Sequence, residues 1–316
     1  PACGPKLRLL MYTPSKTDSA GTLDPTGRSK HFGESDSVRG SDAPGGDFLL
    51  GQEKEAYIEI AQEDEALVEA ARAIRDGKIL ALKGLGGFQL LCDATRQEVV
   101  QRLRERKRRP EKPLALMFET LEEVRQVCEV CPAEAEVLQS PEAPIVLLRR
   151  RSCSGSSEEI SVGRQIAPGV APGNPYLGVM LPYTPLHSLL LEEVGRPIVC
   201  TSGNLSEEPM AYRTSEAVYR LGRIADLMLT HNRPIVRPVD DSVVQVVIFD
   251  GPTPGLSLQR EDGSECQRSS PTHRRKPTLG AGRGHVQMLR RARGYAPRPI
   301  ELGFEVPPIL ALGGHL

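Results

Sequence analysis

The sequence predicts one main domain of mixed α/β (α+β) class, a twisted mixed sheet flanked by helices, and three observations carry that expectation. Aromatic residues make up only 4% of the 316 residues and tryptophan is absent. A core must therefore be assembled from Leu, Val, Ile and Ala, the residues of strands covered on both faces. Segments of helical apolar period alternate with short apolar runs. Breaks rich in Gly, Ser and Pro interrupt this alternation without dividing it, and no repeat of fixed period is visible.

The elements follow in order. Residues 13–60 begin rich in Gly, Ser, Asp and Pro without an apolar period, and read as a flexible linker. Asp64 can cap a helix whose Leu67, Ala70, Ala71 and Ile74 recur at helical spacing, and Gly77 stands where a left-handed terminating residue is wanted. Lys78 to Lys83 is then a strand. Thr95 caps a second helix through about Arg108, and Leu114 to Phe118 is a strand. Two short helices cover Leu121 to Cys128 and Ala133 to Gln139, and Pro144 to Leu148 is another strand. A polar break near 149–160 reads as a surface insertion. Beyond it come a strand at Pro197 to Thr201, a helix at Ser215 to Arg223, and a strand pair around Ile235 and Ser242 to Phe249. Residues 262–284 have no buried face and read as a further insertion.

Charge and cysteine usage exclude several classes. A formal net charge of -1 argues against a general nucleic-acid or membrane binder, so any anion site must be local. The seven cysteines are odd in number and irregularly spaced, which points away from a disulfide framework and towards a reducing cytoplasm. No apolar run reaches the roughly 18 to 20 residues of a membrane span.

The chemistry is carried by basic and small polar residues at turns. Lys83-Gly84-Leu85-Gly86-Gly87-Phe88 closes a strand with glycines that permit positive φ and close approach of backbone N–H groups to an anion. It reads equally as a phosphate cradle or as a tight turn packed on the core. Arg102, Arg104, Arg106, Lys107, Arg108, Arg109 and Lys112 form a dense cationic run at a helix end. A helix dipole explains some of them, and phosphate binding is favoured for Lys107 and Arg109, because charge-assisted bonds to phosphate are strong. Thr201-Ser202-Gly203-Asn204 follows an apolar strand and can offer hydroxyl and amide groups to phosphate or ribose, or form an ordinary turn. Asp240 and Asp241 precede a strand, where carboxylates can hold Mg2+ or cap a loop. Cys128 and Cys131 have zinc-like spacing but no second pair, and His187 lacks an acidic or thiol partner in the sequence around it, so both read as structural.

Taken in order, several stretches resemble the YrdC-like domain of the hydrogenase maturation carbamoyltransferase family, HypF. They are Lys-Gly-Leu-Gly-Gly-Phe-Gln-Leu-Leu-Cys-Asp-Ala (83–94), Arg-Lys-Arg-Arg-Pro-Glu-Lys-Pro (106–113), Ser-Pro-Glu-Ala-Pro-Ile-Val-Leu-Leu (140–148) and Gly-Val-Met-Leu-Pro-Tyr-Thr-Pro-Leu-His (178–187). Thr-Ser-Gly-Asn-Leu-Ser-Glu-Glu-Pro (201–209), His-Asn-Arg-Pro-Ile (231–235), Asp-Asp-Ser-Val-Val (240–244) and Arg-Arg-Ala-Arg-Gly-Tyr-Ala-Pro (290–297) complete the set. The resemblance implies a YrdC-like ATP- and carbamoyl-binding domain over 61–303. It also implies that residues 1–12 are the remnant of a zinc-finger region and that 304–316 open an actin-like domain, both belonging to a longer protein. Cys3 would be one ligand of an incomplete Zn2+ site, because a structural zinc needs four.

The implied reaction joins ATP, with Mg2+, to carbamoyl phosphate or the carbamate derived from it, giving carbamoyl adenylate and pyrophosphate. The implied acceptor is the C-terminal cysteine of the partner HypE. The family's lysine-x-arginine and serine-x-asparagine motifs fall on Lys107 with Arg109 and on Ser202 with Asn204; all four are expected to grip the phosphates, and neither Lys107 nor Ser202 is expected in the core. Lys83, Arg237 and Arg293 stand at matching basic positions. The family has His where Gln89 stands. A threonylcarbamoyl adenylate synthase acting in tRNA modification and a non-catalytic RNA-binding module share the implied fold and are the alternatives.

Overall fold

A computed structural model describes residues 5–12, 57–151, 165–206, 208–249 and 283–299. Their elements run β1 (Leu7–Tyr12), β2 (Tyr57–Gln62), α1 (Glu63–Arg75), β3 (Leu80–Lys83), β4 (Phe88–Asp93), α2 (Gln97–Lys107) and β5 (Ala115–Met117). They continue with α3 (Leu121–Val127), α4 (Pro132–Leu138), β6 (Ile145–Arg149), β7 (Tyr176–Met180), α5 (Pro185–Val194) and β8 (Ile198–Ser202). The last are α6 (Thr214–Leu221), β9 (Leu227–His231), β10 (Val243–Phe249) and β11 (Arg283–Arg290). All strands join one mixed sheet in the order β11-β10-β6-β7-β5-β8-β4-β3-β9-β1-β2.

Two apolar layers cover the sheet. On one face α2 (Val99, Val100, Leu103), α3 (Val124), α4 (Leu138) and α6 (Ala217, Leu221) pack on Phe88, Leu90, Leu116 and Val199. On the other, α1 (Leu67, Ala70, Ala71, Ile74) and α5 (Leu190, Leu191, Val194) pack on Leu82, Leu91, Met180 and Cys200. Alternate residues of β3, β4 and β8 serve alternate faces, which is why these strands are apolar throughout.

Helix α1 ends as its sequence predicts, with Gly77 at φ +82. Its start differs: Gln62 is the capping residue and Asp64 lies in the first turn, where a carboxylate suits the dipole. Thr95 likewise does not cap α2; its hydroxyl is spent on Asp93 Oδ1 at 2.6 Å. The edge strands also differ from expectation. β1 and β2, assigned from sequence to a zinc-finger remnant and a linker, pair with each other, and β1 pairs antiparallel with β9. Their partners lie far along the chain, so no local turn announces them. Ile235 belongs to no strand; β10 pairs with β11, the latter opening inside a segment read as an insertion. Residues 13–56, 152–164, 250–282 and 300–316, with Cys3, lie outside the described residues.

Candidate functional site

The site is built where β4 and β8 meet the turns around them. β4 and β8 run antiparallel with Gln89 opposite Ser202. Beyond Ser202, the Gly203 N–H donates to the Phe88 carbonyl at 2.7 Å and the Ala211 N–H to the Gly203 carbonyl at 2.9 Å. A Cβ on Gly203 would stand 2.6 Å from the Phe88 oxygen, so only glycine lets this turn close on β4. The Gly84–Gly87 turn is stapled from outside, because the Val239 N–H donates to the Gly86 carbonyl at 3.0 Å. Gly86 is required by this close approach, since a Cβ there would stand 2.2 Å from the Val239 oxygen. The positive φ expected from sequence is not adopted by Gly84, Gly86 or Gly87.

Helix α2 ends on Arg108 in the left-handed region at φ 55, and that reversal turns Lys107 inward. Lys107 is fully buried, and its Nζ donates to the Ser202 carbonyl at 2.6 Å and to the Asn204 carbonyl and Oδ1, both at 2.7 Å. Ser202 Oγ donates to the same Asn204 Oδ1 at 2.7 Å. Burial and the nearby Arg109 guanidinium pull the Lys107 pKa down to about 7. Three acceptors facing three N–H donors nevertheless belong to the ammonium form. Lys107, Ser202 and Asn204 thus converge as expected, but Lys107 is a core residue, contrary to the sequence reading. A long side chain at the end of a cationic run looks solvated until a partner strand supplies carbonyls for it.

The other basic residues divide by partner. Arg104 is buried and donates to five carbonyls, those of Gly169, Val170, Arg109, Pro110 and Lys112, so it shapes the loop that carries Arg109. Arg109 donates to the Lys112 and Pro113 carbonyls at 3.3 and 2.8 Å. Its pKa is lowered by burial and then by the charge of Arg290. Lys83 Nζ reaches the His231 carbonyl at 3.0 Å and Thr214 Oγ1 at 3.3 Å rather than the 202–204 turn, and burial lowers its pKa. Among the described residues Lys83, Arg104, Lys107 and Arg109 have no carboxylate partner. Arg237 is exposed and has no hydrogen-bond or ion-pair partner among the described residues, so nothing joins it to the cluster. Arg290 carries no local signal in the sequence, since its place near the strand ends depends on the β10–β11 pairing.

Arg293 belongs to a second, differently composed cluster on the α5 face. Its Nε donates to Asp241 Oδ1 at 2.7 Å, its Nη2 to the Ala143 carbonyl at 2.9 Å, and its guanidinium carbon lies 3.5 Å from the Tyr183 ring centroid. Gln89 Nε2 contacts the Tyr183 hydroxyl at 2.7 Å and Asp241 Oδ2 at 3.1 Å, while Oε1 lies 3.0 Å from His187 Nε2. His187 Nδ1 lies 2.6 Å from Thr184 Oγ1, which also caps α5 by accepting the His187 N–H. Burial and then Arg293 push the His187 pKa down to about 3, so the ring is neutral.

The described residues do not fit a protein-held Mg2+ or Zn2+ site, and Cys3 lies outside them. Among the described residues no three His, Cys, Asp or Glu side chains cluster. Asp241 is committed to Arg293, and Asp240 pairs with Arg290 at 3.4 Å. The Cys131 sulfur caps α4 by accepting the Glu134 N–H, and Cys128 is buried. No helix among the described residues is long and apolar enough to cross a membrane.

The Sua5/YciO/YrdC family model, described as telomere recombination, matches residues 72–254. The carbamoyltransferase HypF of Synechocystis sp. is 43% identical over 257 residues, covering 81% of this chain and 28% of that protein. A solved structure of full-length HypF in a phosphate- and nucleotide-bound form is similar with a TM-score of 0.59 at 39% identity, over 76% of this chain and 26% of that one. The T. kodakarensis HypF structure gives a TM-score of 0.62 at 30% identity, over 96% of this chain and 28% of that one. The chain therefore spans about 28% of the length of the HypF relatives it matches.

Proposed function

The chain belongs to the Sua5/YciO/YrdC family, in the form carried by HypF carbamoyltransferases, and from that premise we propose that it binds ATP and activates a carbamoyl group as its adenylate. The observation that carries this reading is the convergence of Lys107, Ser202 and Asn204 into one hydrogen-bonded turn within the field of Arg109, with no carboxylate partner for Lys107 or Arg109 among the described residues. Cations held by carbonyl dipoles keep their field for a ligand, and a triphosphate is the ligand that needs such a field.

In the proposed reaction a carbamate oxygen attacks the α-phosphorus of ATP, the bond from that phosphorus to the bridging oxygen breaks, and pyrophosphate leaves with the electron pair. The protein supplies no nucleophile. Arg109 and Arg290 face the phosphate oxygens, and the Asn204 and Ser202 side chains orient them. Lys107 holds that turn and adds positive potential beneath it, which stabilises charge growing on the leaving group. Because Asp240 and Asp241 each face an arginine, no step is assigned to a metal held by the chain. Carbamate would be the reacting donor, and carbamoyl phosphate would serve once water has cleaved its acyl–phosphate bond to give carbamate and inorganic phosphate. In the longer protein the carbamoyl group would pass to the C-terminal cysteine thiol of HypE, in hydrogenase maturation.

The test is ATP–pyrophosphate exchange by the full chain with carbamoyl phosphate, compared with threonine plus bicarbonate. Donor-dependent exchange with carbamoyl phosphate is expected, falling at least ~10-fold in Arg109→Ala and Ser202→Ala while their unfolding midpoints stay near wild type. Exchange with threonine and bicarbonate alone would move the chain to threonylcarbamoyl adenylate synthesis. Exchange with neither, or undiminished in both variants, rejects the proposal.

A further inference from the structure

The protons of the α5-face cluster can be placed one by one. A carboxylate only accepts, so the Gln89 amide must turn its nitrogen to Asp241 Oδ2, and its two N–H groups serve Asp241 and the Tyr183 hydroxyl. The Gln89 Oε1 then accepts from His187, which must carry its proton on Nε2 and leave Nδ1 to accept from the Thr184 hydroxyl. Every side-chain proton of Gln89, His187 and Thr184 is thereby given an acceptor. The Tyr183 hydroxyl is different: it accepts from Gln89, and its own proton has no acceptor among the described residues.

Several features keep that proton available as a donor. Burial, then Asp241, raise the Tyr183 pKa well above 10, so the phenol is not ionised. The Arg293 guanidinium against the ring face draws electron density from it and sharpens the hydroxyl as a donor. Tyr183 as a whole residue is half-buried, whereas its neighbours Gln89 and His187 are buried. Gln89 sits directly opposite Ser202, so the cluster borders the phosphate turn.

We propose that Tyr183 is a substrate-binding residue whose hydroxyl donates to the carbonyl or carboxylate oxygen of a planar one-carbon acyl group, that of carbamate or carbamoyl phosphate, beside the bound nucleotide. Gln89 is its positioning residue. The assignment rests on the nucleotide-activation reading above and adds which side of the site takes which substrate. The side with a neutral donor and an internally balanced arginine suits a small acyl group, and the side with unbalanced cations suits the triphosphate.

Four measurements on the full chain test this: the KM for carbamoyl phosphate in exchange, ATP affinity, the unfolding midpoint that shows each variant folded, and a tyrosine resonance. Tyr183→Phe keeps the ring packing and is expected to raise the donor KM about 10- to 100-fold while ATP affinity stays within about 2-fold. Gln89→Leu should raise the donor KM as well, and the double variant should be no worse than Tyr183→Phe alone, since Gln89 acts through the hydroxyl. Nuclear magnetic resonance of wild-type chain labelled at the tyrosine ζ-carbon avoids any folding defect of a variant. With ATP analogue present, carbamoyl phosphate should shift the Tyr183 signal. Donor saturation by the wild type with unchanged KM in Tyr183→Phe, or no shift of that signal, overturns the role of Tyr183 alone. Absence of any donor or nucleotide binding by the wild type overturns both this role and the reading it rests on.

Discussion

On the α2 face of the sheet, Lys83, Arg104 and Lys107 are buried against carbonyl, amide and hydroxyl oxygens, whereas on the α5 face the buried Arg293 is matched by Asp241 within a neutral amide and imidazole network. Both arrangements satisfy hydrogen bonds. They differ in field: dipoles solvate a cation without cancelling it, and a carboxylate cancels it. A fold that needed only stability could have matched both sides alike. In the proposed reading, the α2 side of the strand ends takes the phosphates and the α5 side takes the acyl group.

The strongest way to break that comparison is Lys107→Met. The substitution takes the Lys107 donor from three oxygens, of which the Asn204 Oδ1 keeps the Ser202 hydroxyl, and removes the fully buried ammonium. A loss of about 3–5 kcal/mol in urea unfolding is expected, together with loss of ATP binding. A loss under about 1 kcal/mol would mean that the amine lives in solvent and that no buried uncancelled charge distinguishes the two faces.

This residue also marks the limit of what the sequence discloses. Periodicity alone located α1 with its Gly77 stop and the apolar strands β3 and β8, because an amphipathic stripe and an apolar run are local properties. Family likeness brought Lys107 together with Ser202 and Asn204. Neither reveals burial of Lys107, which depends on carbonyls nearly a hundred residues away. The same distance hid the Gln89–His187 contact: His187 read as structural, and its link to a strand residue with |i−j| of 98 has no local signature. β1 and β2 escaped for the same reason, since their alternation is short and β1 pairs with β9 across most of the chain.

The α5 side can be sharpened through pH. His187 is held neutral by burial and by Arg293, with Gln89, Thr184 and Tyr183 as its other near neighbours. Because its folded pKa is about 3 against 6.5 when free, the unfolded chain takes up a proton between those values that the folded chain refuses. Stability therefore falls as pH drops through that window, by up to about 1.4 kcal/mol per pH unit from this group. His187→Gln keeps a donor for Gln89 and cannot titrate. The stability lost between about pH 6.5 and about pH 5 should be smaller in the variant by about 2 kcal/mol. Equal losses in both proteins would place His187 in contact with water and dissolve the neutral network.

The smallest expected stability effect tests the charge argument most directly. Asp240 pairs with Arg290 at 3.4 Å with both side chains about half exposed, and Arg290 stands close enough to Arg109 to lower its pKa. Asp240→Asn removes a partly solvated ion pair, so the unfolding free energy should change by no more than about 0.5 kcal/mol. The backbone bond from the Arg293 N–H to the Asp240 carbonyl survives the substitution. What changes is the field: Arg290 joins Arg109 without a compensating carboxylate. ATP should then bind about 2- to 5-fold more tightly at low ionic strength, a gain that fades towards about 1 M salt as screening shortens to a few ångströms. Weaker ATP binding in Asp240→Asn would mean that this carboxylate serves the nucleotide, and the division between a cancelled and an uncancelled side would not reach the rim of the site.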